Sequence, residues 1–350
     1  MARPGRLDNA AERLRELLPG DWMLSLTRPA DRGPDFRITT PAGATIDIEV
    51  KALKDATPRC IAGLTRSASP TIVVADWLSP RSRDLLRASG TSYLDATGNA
   101  EIRLDAPAVY IRTDGADRNP APKPTTGPGL RGPKAWAILR TIAEVPPPLG
   151  VRELAEAVDV DPGYVSRVVR ALEDDLLVTR TPRGPVTNVE WEGVIRRAAS
   201  TYSLFDSNET STWVTTSGPD RLIDDLCAKR VGDWAVTGSI AASRLAPVAA
   251  AEMAVIYTAD PERLARAGRL LPTTRGANVV LAVPYDPVVF EGTIKSGVVT
   301  YVSTAQLALD SLTGNARMPA EGEAILGWMR KNEPRWRNRT LSRRSKRRSA

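Results

Sequence analysis

Pro34-Asp35 is followed fourteen residues later by Glu49-Val50-Lys51. Strand alternation through this segment places Thr45, Asp47, Glu49 and Lys51 on one face and Ile46, Ile48 and Val50 on the other. An acid on one strand beside an acid and a lysine two apart on the next can hold magnesium through Asp35 and Glu49. Lys51 would then orient an attacking water or stabilise the charge of a phosphoryl transfer. The same Glu-x-Lys is also an ordinary solvent-facing pattern. A second group is Asp161-Pro-Gly-Tyr-Val-Ser-Arg-Val-Val-Arg-Ala-Leu172. As a helix it turns Val165, Val169 and Leu172 inward and leaves Tyr164, Ser166, Arg167 and Arg170 on the other face. Bidentate arginine and hydroxyls are what reading a major groove requires, and Arg180 and Arg183 just beyond could reach the backbone or minor groove. The third group is Gly238-Ser239, with Glu252 and Ala254 some fourteen residues on. Glycine-serine at a helix start can grip a triphosphate, but an acid-x-acid pair for two metals would need a carboxylate where Ala254 stands. The expectation here is a retired site kept as a packing surface.

Several chemistries are excluded outright. The 350 residues contain no histidine, which removes histidine bases, triads and zinc ligation. Two cysteines, Cys60 and Cys227, lie far apart, so no disulfide framework is expected and a reducing, cytoplasmic location is favoured. No cofactor is expected, magnesium excepted if the Asp35/Glu49/Lys51 site is active. No leader-like apolar run opens the chain, and no stretch is long enough to span a bilayer, so no membrane partner is expected. Of the net charge of +7, the segment 330–350 supplies +9 (ten Lys or Arg against Glu333), leaving the body at −2. Such a segment reads as a basic, disordered arm in which Arg343, Arg344, Arg347 and Arg348 neutralise phosphates; a solubility tail is the plain alternative.

The elements that must position these groups follow from pattern and punctuation. Residues 8–18 read as an amphipathic helix, and 22–26, 36–39, 45–53 and 71–75 as strands. A helix from Pro80, two strands around Thr97-Gly-Asn99, and a strand at 109–112 complete an α/β domain over residues 1–114. Residues 115–133, rich in proline and glycine, read as a linker. Gly127, Gly129 and Gly132 match G-x-G-x-x-G, but a proline lies inside the match and no strand leads directly into it. Residues 134–190 give three helices and then strand, turn, strand, the order of a winged helix-turn-helix. A connector helix is expected within 191–210, and an α/β regulatory or antitoxin domain over 211–329.

Two resemblances add to this reading. The first domain, with its acid, Glu-x-Lys and strand order, resembles the PD-(D/E)xK, restriction-endonuclease-like fold. The string Leu78 to Ala100, containing Tyr93-Leu-Asp-Ala-Thr-Gly-Asn-Ala100, then a winged helix, then Thr237-Gly-Ser-Ile-Ala-Ala242, resembles AbiEi-type antitoxins of type IV abortive-infection toxin–antitoxin systems and related actinobacterial regulators. That likeness implies an autorepressor on its own promoter, with a degenerate nucleotidyltransferase-like C-terminal domain countering a nucleotidyltransferase-like toxin. The chain departs from the family in its longer N-terminal unit and its arginine-rich end. The fold expected is therefore multidomain α/β with a central winged helix, and the function a sequence-specific regulator of double-stranded DNA, with a homodimer as one assembly. The alternative is a magnesium-dependent DNA endonuclease using Asp35, Glu49 and Lys51, targeted by the winged helix.

Overall fold

The computed structural model describes residues 4–27, 34–64, 67, 69–117, 119–120, 130–229, 231–248 and 251–341. The chain divides into two compact units, one built on residues 1–125 and the other on 126–350 apart from the short stretch 174–176.

The first unit contains α1 (Pro4–Leu17), β1 (Met23–Leu26), β2 (Phe36–Thr39), β3 (Thr45–Leu53), α2 (Pro58–Ala62), β4 (Thr71–Ala75), α3 (Pro80–Ala88), β5 (Ser92–Asp95), β6 (Ala100–Asp105) and β7 (Ala108–Thr113). Its seven strands lie in sequence order, with β3, β4 and β5 mutually parallel and the flanking pairs antiparallel. The expected alternation on β3 holds: Ile46 and Ile48 are buried in a cluster with Leu14 of α1, Phe36, Ile38, Ile72 and Ile102. The opposite face buries Val73, Ala75 and Tyr93 with Ile61 of α2 and Leu86 of α3. α3 starts where its residues direct, with Ser79 accepting from the Ser82 amide and Pro80 at the first helical position. α2, five residues capped by Thr57, escaped the sequence reading because it is too short to show a period.

The second unit opens with α4 (Pro133–Glu144), α5 (Val151–Val158), α6 (Pro162–Asp174), β8 (Val178–Arg180), β9 (Val186–Val189) and α7 (Trp191–Ala199). β8 and β9 pair antiparallel, and Leu149 bridges to Val186. There follow β10 (Glu209–Val214), α8 (Pro219–Cys227), β11 (Trp234–Thr237), α9 (Gly238–Ser243), β12 (Ala254–Thr258), α10 (Pro261–Gly268), β13 (Leu271–Pro272), β14 (Val279–Val283), β15 (Ile294–Ser296), β16 (Val299–Tyr301), α11 (Thr304–Leu312), α12 (Met318–Lys331) and α13 (Glu333–Trp336). The seven-stranded sheet runs β13-β10-β14-β12-β11-β16-β15. Thr237 and Tyr257 reach Asp310 of α11, which puts α11 on their face of the sheet together with the α4 and α7 it packs against. Val236, Ile256 and Leu281 alternate to the other face, where α8 and α10 pack on each other and on the strands.

One hydrophobic core runs through this unit without interruption, from Trp136 and Leu154 in the helical segment to Ile256 and Leu281 in the sheet. α4 lies at its centre, with residues 135–144 all buried. A polar network fastens it there: Arg140 donates to the Val288 and Glu291 carbonyls, to Ser303 Oγ (3.0 Å) and to Glu144, while Lys134 bridges the Val158 carbonyl (3.2 Å) and Asp286 (3.0 Å).

The expected disordered arm over 330–350 is corrected for its first twelve residues. α12 continues through Arg330, and α13 buries Trp336 edge-on against Trp191 with centroids 5.0 Å apart. Arg337 donates to the Ala143 carbonyl, and Arg339 pairs with Glu144 and Glu291. Burial of one tryptophan and neutralisation of the buried Glu144 outweigh the entropy of a charged, otherwise solvated segment.

Candidate nucleic-acid interface

Three helices and an antiparallel hairpin meet as the sequence order implies. Leu154 and Val158 of α5 and Val165, Val168, Val169 and Leu172 of α6 are wholly excluded from solvent. At 100° per residue those α6 valines and Leu172 form one stripe, and the positions opposite it are Gly163, Arg167 and Arg170, all exposed. Tyr164 and Ser166 sit on the two flanks of α6, half-buried. The Arg167 guanidinium lies over the Tyr164 ring at 5.8 Å, and Tyr164 also packs on the core, where burial pushes its hydroxyl above the usual tyrosine range against the opposing pull of Arg167. The outward centre of the helix is thus two arginines and a glycine, with the tyrosine serving to hold Arg167 as well as to offer a hydroxyl.

The N-terminus of α6 is already occupied. Asp161 accepts from the Gly163 amide (2.8 Å) and the Tyr164 amide (3.2 Å), so its own carboxylate fills the position in which a phosphate could otherwise bind. Phosphate contact must come from side chains. At the hairpin, Thr181-Pro-Arg-Gly184 forms the tip, and Arg183 stands exposed there at φ +54°. Arg180 behaves differently: it pairs with Glu173 at 2.9 Å and is largely covered, tying the hairpin to α6. Arg152 at the start of α5 and Arg131 before α4 are exposed without an ion pair, as are the polar Thr187 and Asn188 on β9. The sequence reading missed these four, although the single arginine heading an otherwise acidic α5 was a usable signal. Arg343, Arg344, Arg347 and Arg348 lie outside the described residues.

The structure brings Asp35, Glu49 and Lys51 onto neighbouring strand positions, since Asp35 is one step beyond the Phe36–Ile48 pairing. Their bonding is structural. Asp35 takes the Val50 amide at 2.7 Å, satisfying a donor that β2 is too short to reach, and Glu49 stands 3.8 Å from the Lys51 ammonium. Among the described residues no group of three or more carboxylates or thiols is placed to hold a metal ion. A cation between Asp35 and Glu49 would have to compete with the amide and the lysine, so this donor set fits magnesium poorly and no hydrolytic step is drawn through it.

At Gly238-Ser239 the glycine takes φ +66° to start α9. Ser239 donates to Glu321 at 2.7 Å, and that buried carboxylate also receives Arg317. An anion therefore stands where a triphosphate would have to lie, while Ala254 is buried in the sheet. The Tyr93–Ala100 string is a structural device as well. Asp95 accepts from the amides of Leu78, Thr97 and Asn99, from the Thr97 hydroxyl and from the Asn99 amide nitrogen, at 2.7–3.1 Å. Asn99 in turn accepts from Arg83 and the Gly115 amide. Nearby, burial would raise Glu101, but hydrogen bonds from Arg87 and Arg103 overcome it and hold the carboxyl below its usual range.

Among the described residues no helix is long and apolar enough to cross a membrane. Residues 133–183, which span α4, α5, α6, β8 and the start of the hairpin tip, match the MarR family, a family of winged-helix DNA-binding transcriptional regulators. No curated protein and no solved structure matches the chain.

Proposed function

Taking the winged helix as the premise, we propose that this chain is a sequence-specific transcriptional regulator that binds double-stranded DNA in its own upstream region, as an AbiEi-like antitoxin and autorepressor. One observation carries the reading: Arg167 and Arg170 stand side by side and exposed on α6, opposite a fully buried Val/Leu stripe. A helix so anchored presents two bidentate donors at fixed spacing to a major groove, and Arg183 at the hairpin tip is free to meet the backbone. The basic residues 343–348 would add sequence-independent affinity. For the antitoxin role the support is the Tyr93–Ala100 and Thr237–Ala242 resemblance, and the partner would be a nucleotidyltransferase-like toxin.

The test is a footprint of the intact protein on a labelled duplex of its upstream region, in magnesium, read on a denaturing gel. A discrete protected site on uncut strands is the expected result. Strand cleavage that disappears in Lys51→Ala would overturn the regulator reading in favour of an endonuclease. The antitoxin role is checked by co-expression with a neighbouring nucleotidyltransferase-like gene: rescue of growth supports it, and continued growth arrest refutes it.

A further inference from the structure

Many described arginines are spoken for: Arg37, Arg83, Arg87, Arg103, Arg140, Arg180, Arg196, Arg317, Arg330, Arg337 and Arg339 all hold an acid. Those that hold none gather chiefly in two places. One is the winged helix. The other is α10 and the turn after β13, where Arg263, Arg266, Arg269 and Arg275 make no side-chain hydrogen bond or ion pair. Among the described residues of that segment, Glu262 is the one acid on the same surface.

The neighbouring helix carries the opposite charge. On α8, Leu222, Ile223 and Leu226 are buried, while Asp220, Asp224 and Asp225 are exposed without a partner, with Arg221 the one cation among them. The two helices touch at Gly268, where an added Cβ would come within 2.8 Å of Leu222. Yet no ion pair forms between them, because each turns its charged side outward from the sheet. Both cover the face of the sheet opposite the one on which the winged helix packs. Leu271, 60% exposed on the edge strand β13, adds an apolar contact beside Arg269.

We infer that the outer surface of α8 and α10 takes a second copy of this chain. An acidic helix beside a basic one is self-complementary under a two-fold axis: with the axis between them, α8 of each copy lies over α10 of the other. Each free aspartate then faces a free guanidinium, and the two central contacts are repeated by symmetry. Because the pairs are exposed before assembly and polar after it, association is salt-sensitive, with attraction reaching roughly 10 Å at 0.1 M salt and roughly 3 Å at 1 M. This assembly does not depend on DNA binding, and it leaves both winged helices on its outer sides.

Sedimentation equilibrium of the full chain, at about 0.05 M and about 0.5 M salt, tests it. Wild type should dimerise at the lower salt and weaken at least tenfold at the higher. Arg263→Glu with Arg266→Glu should weaken association on the order of tenfold to a hundredfold, as should Asp224→Arg with Asp225→Arg. The chain carrying all four reversals should regain it, which a general loss of charge balance would not produce. All four positions are exposed, and circular dichroism confirms that each variant is folded. A monomer at low salt, a dimer indifferent to either reversal, or no recovery in the fourfold variant each overturns the proposal.

Discussion

Replacing Asp310 by asparagine should change how the stability of the second unit depends on pH. Asp310 is fully buried in the last turn of α11, where Tyr202, Tyr257, Thr237 and Gln306 donate to it at 2.7–3.1 Å. Burial dominates those bonds and pushes its carboxyl up from 3.8 to about 6. The folded chain thus keeps a proton that the unfolded chain has already released. Stability attached to this group is full below about pH 4, declines as pH rises, and is lost above about pH 6, by about 3 kcal/mol for a two-unit gap at 1.36 kcal/mol per unit. Asparagine keeps an acceptor for the tyrosines and does not titrate. Glu101, Glu192 and Glu323, whose carboxyls are lowered, contribute with the opposite sign in both proteins and cancel from the difference. Urea unfolding of the two chains, at steps from pH 4 to pH 7.5, should therefore show Asp310→Asn gaining about 3 kcal/mol on wild type across that span. Parallel curves would show that Asp310 does not hold its proton through burial, and the account of this core would be wrong.

Arg167→Ala should lose about 1–3 kcal/mol of binding to the protected site and relax preference at one base pair, seen by titrating single-substituted duplexes. Undiminished affinity would remove α6 as the reading helix. Ending the chain after Leu341, which removes five basic residues but none of the packed Arg337 and Arg339, should weaken all DNA alike and flatten the salt dependence by about 0.9 for each phosphate no longer neutralised. An unchanged slope would retire the arm. Asp95→Ala strands five donors, four in the β5–β6 turn and the Leu78 amide ahead of α3, and should cost the first unit about 3–5 kcal/mol in urea unfolding. A loss below about 1 kcal/mol would mean that water replaces the carboxylate there.

The winged helix was legible because two periods agreed: Leu154 and Val158 on one helix, and Val165, Val169 and Leu172 on the next, all find the same core, and Pro162 and Asp161 mark the start. Strands such as 45–53 were equally plain from alternation. The roles of single charged residues were not. Arg180 and Arg183 look alike in sequence, and only the proximity of Glu173 makes the first a strut and leaves the second free. Asp35 has the spacing of a metal ligand but answers to the Val50 amide, one position along the neighbouring strand from its own level. At the C-terminal end charge was weighed above pattern: Met318, Ile325, Leu326 and Met329 recur at helical spacing and pack as one face of α12, while Trp336 anchors α13. β10 was missed because its register is set by the distant β13 and β14 rather than by local alternation.

The enclosure of α4 limits how this chain can be cut, grafted or inherited. Residues 135–144 belong to the core of the winged helix and to that of the sheet at once, so a fragment ending near residue 190 would turn Trp136, Ile138 and Ile142 toward water, at about 25 cal/mol for each Å² of apolar surface uncovered. The usual exchange of one reader head for another, tolerated where heads hang on linkers, is closed here. On the function proposed above, variation in what this chain recognises would accumulate as single side-chain changes on α6 and the hairpin tip. The seam at which whole parts can be traded lies upstream of the buried Leu130.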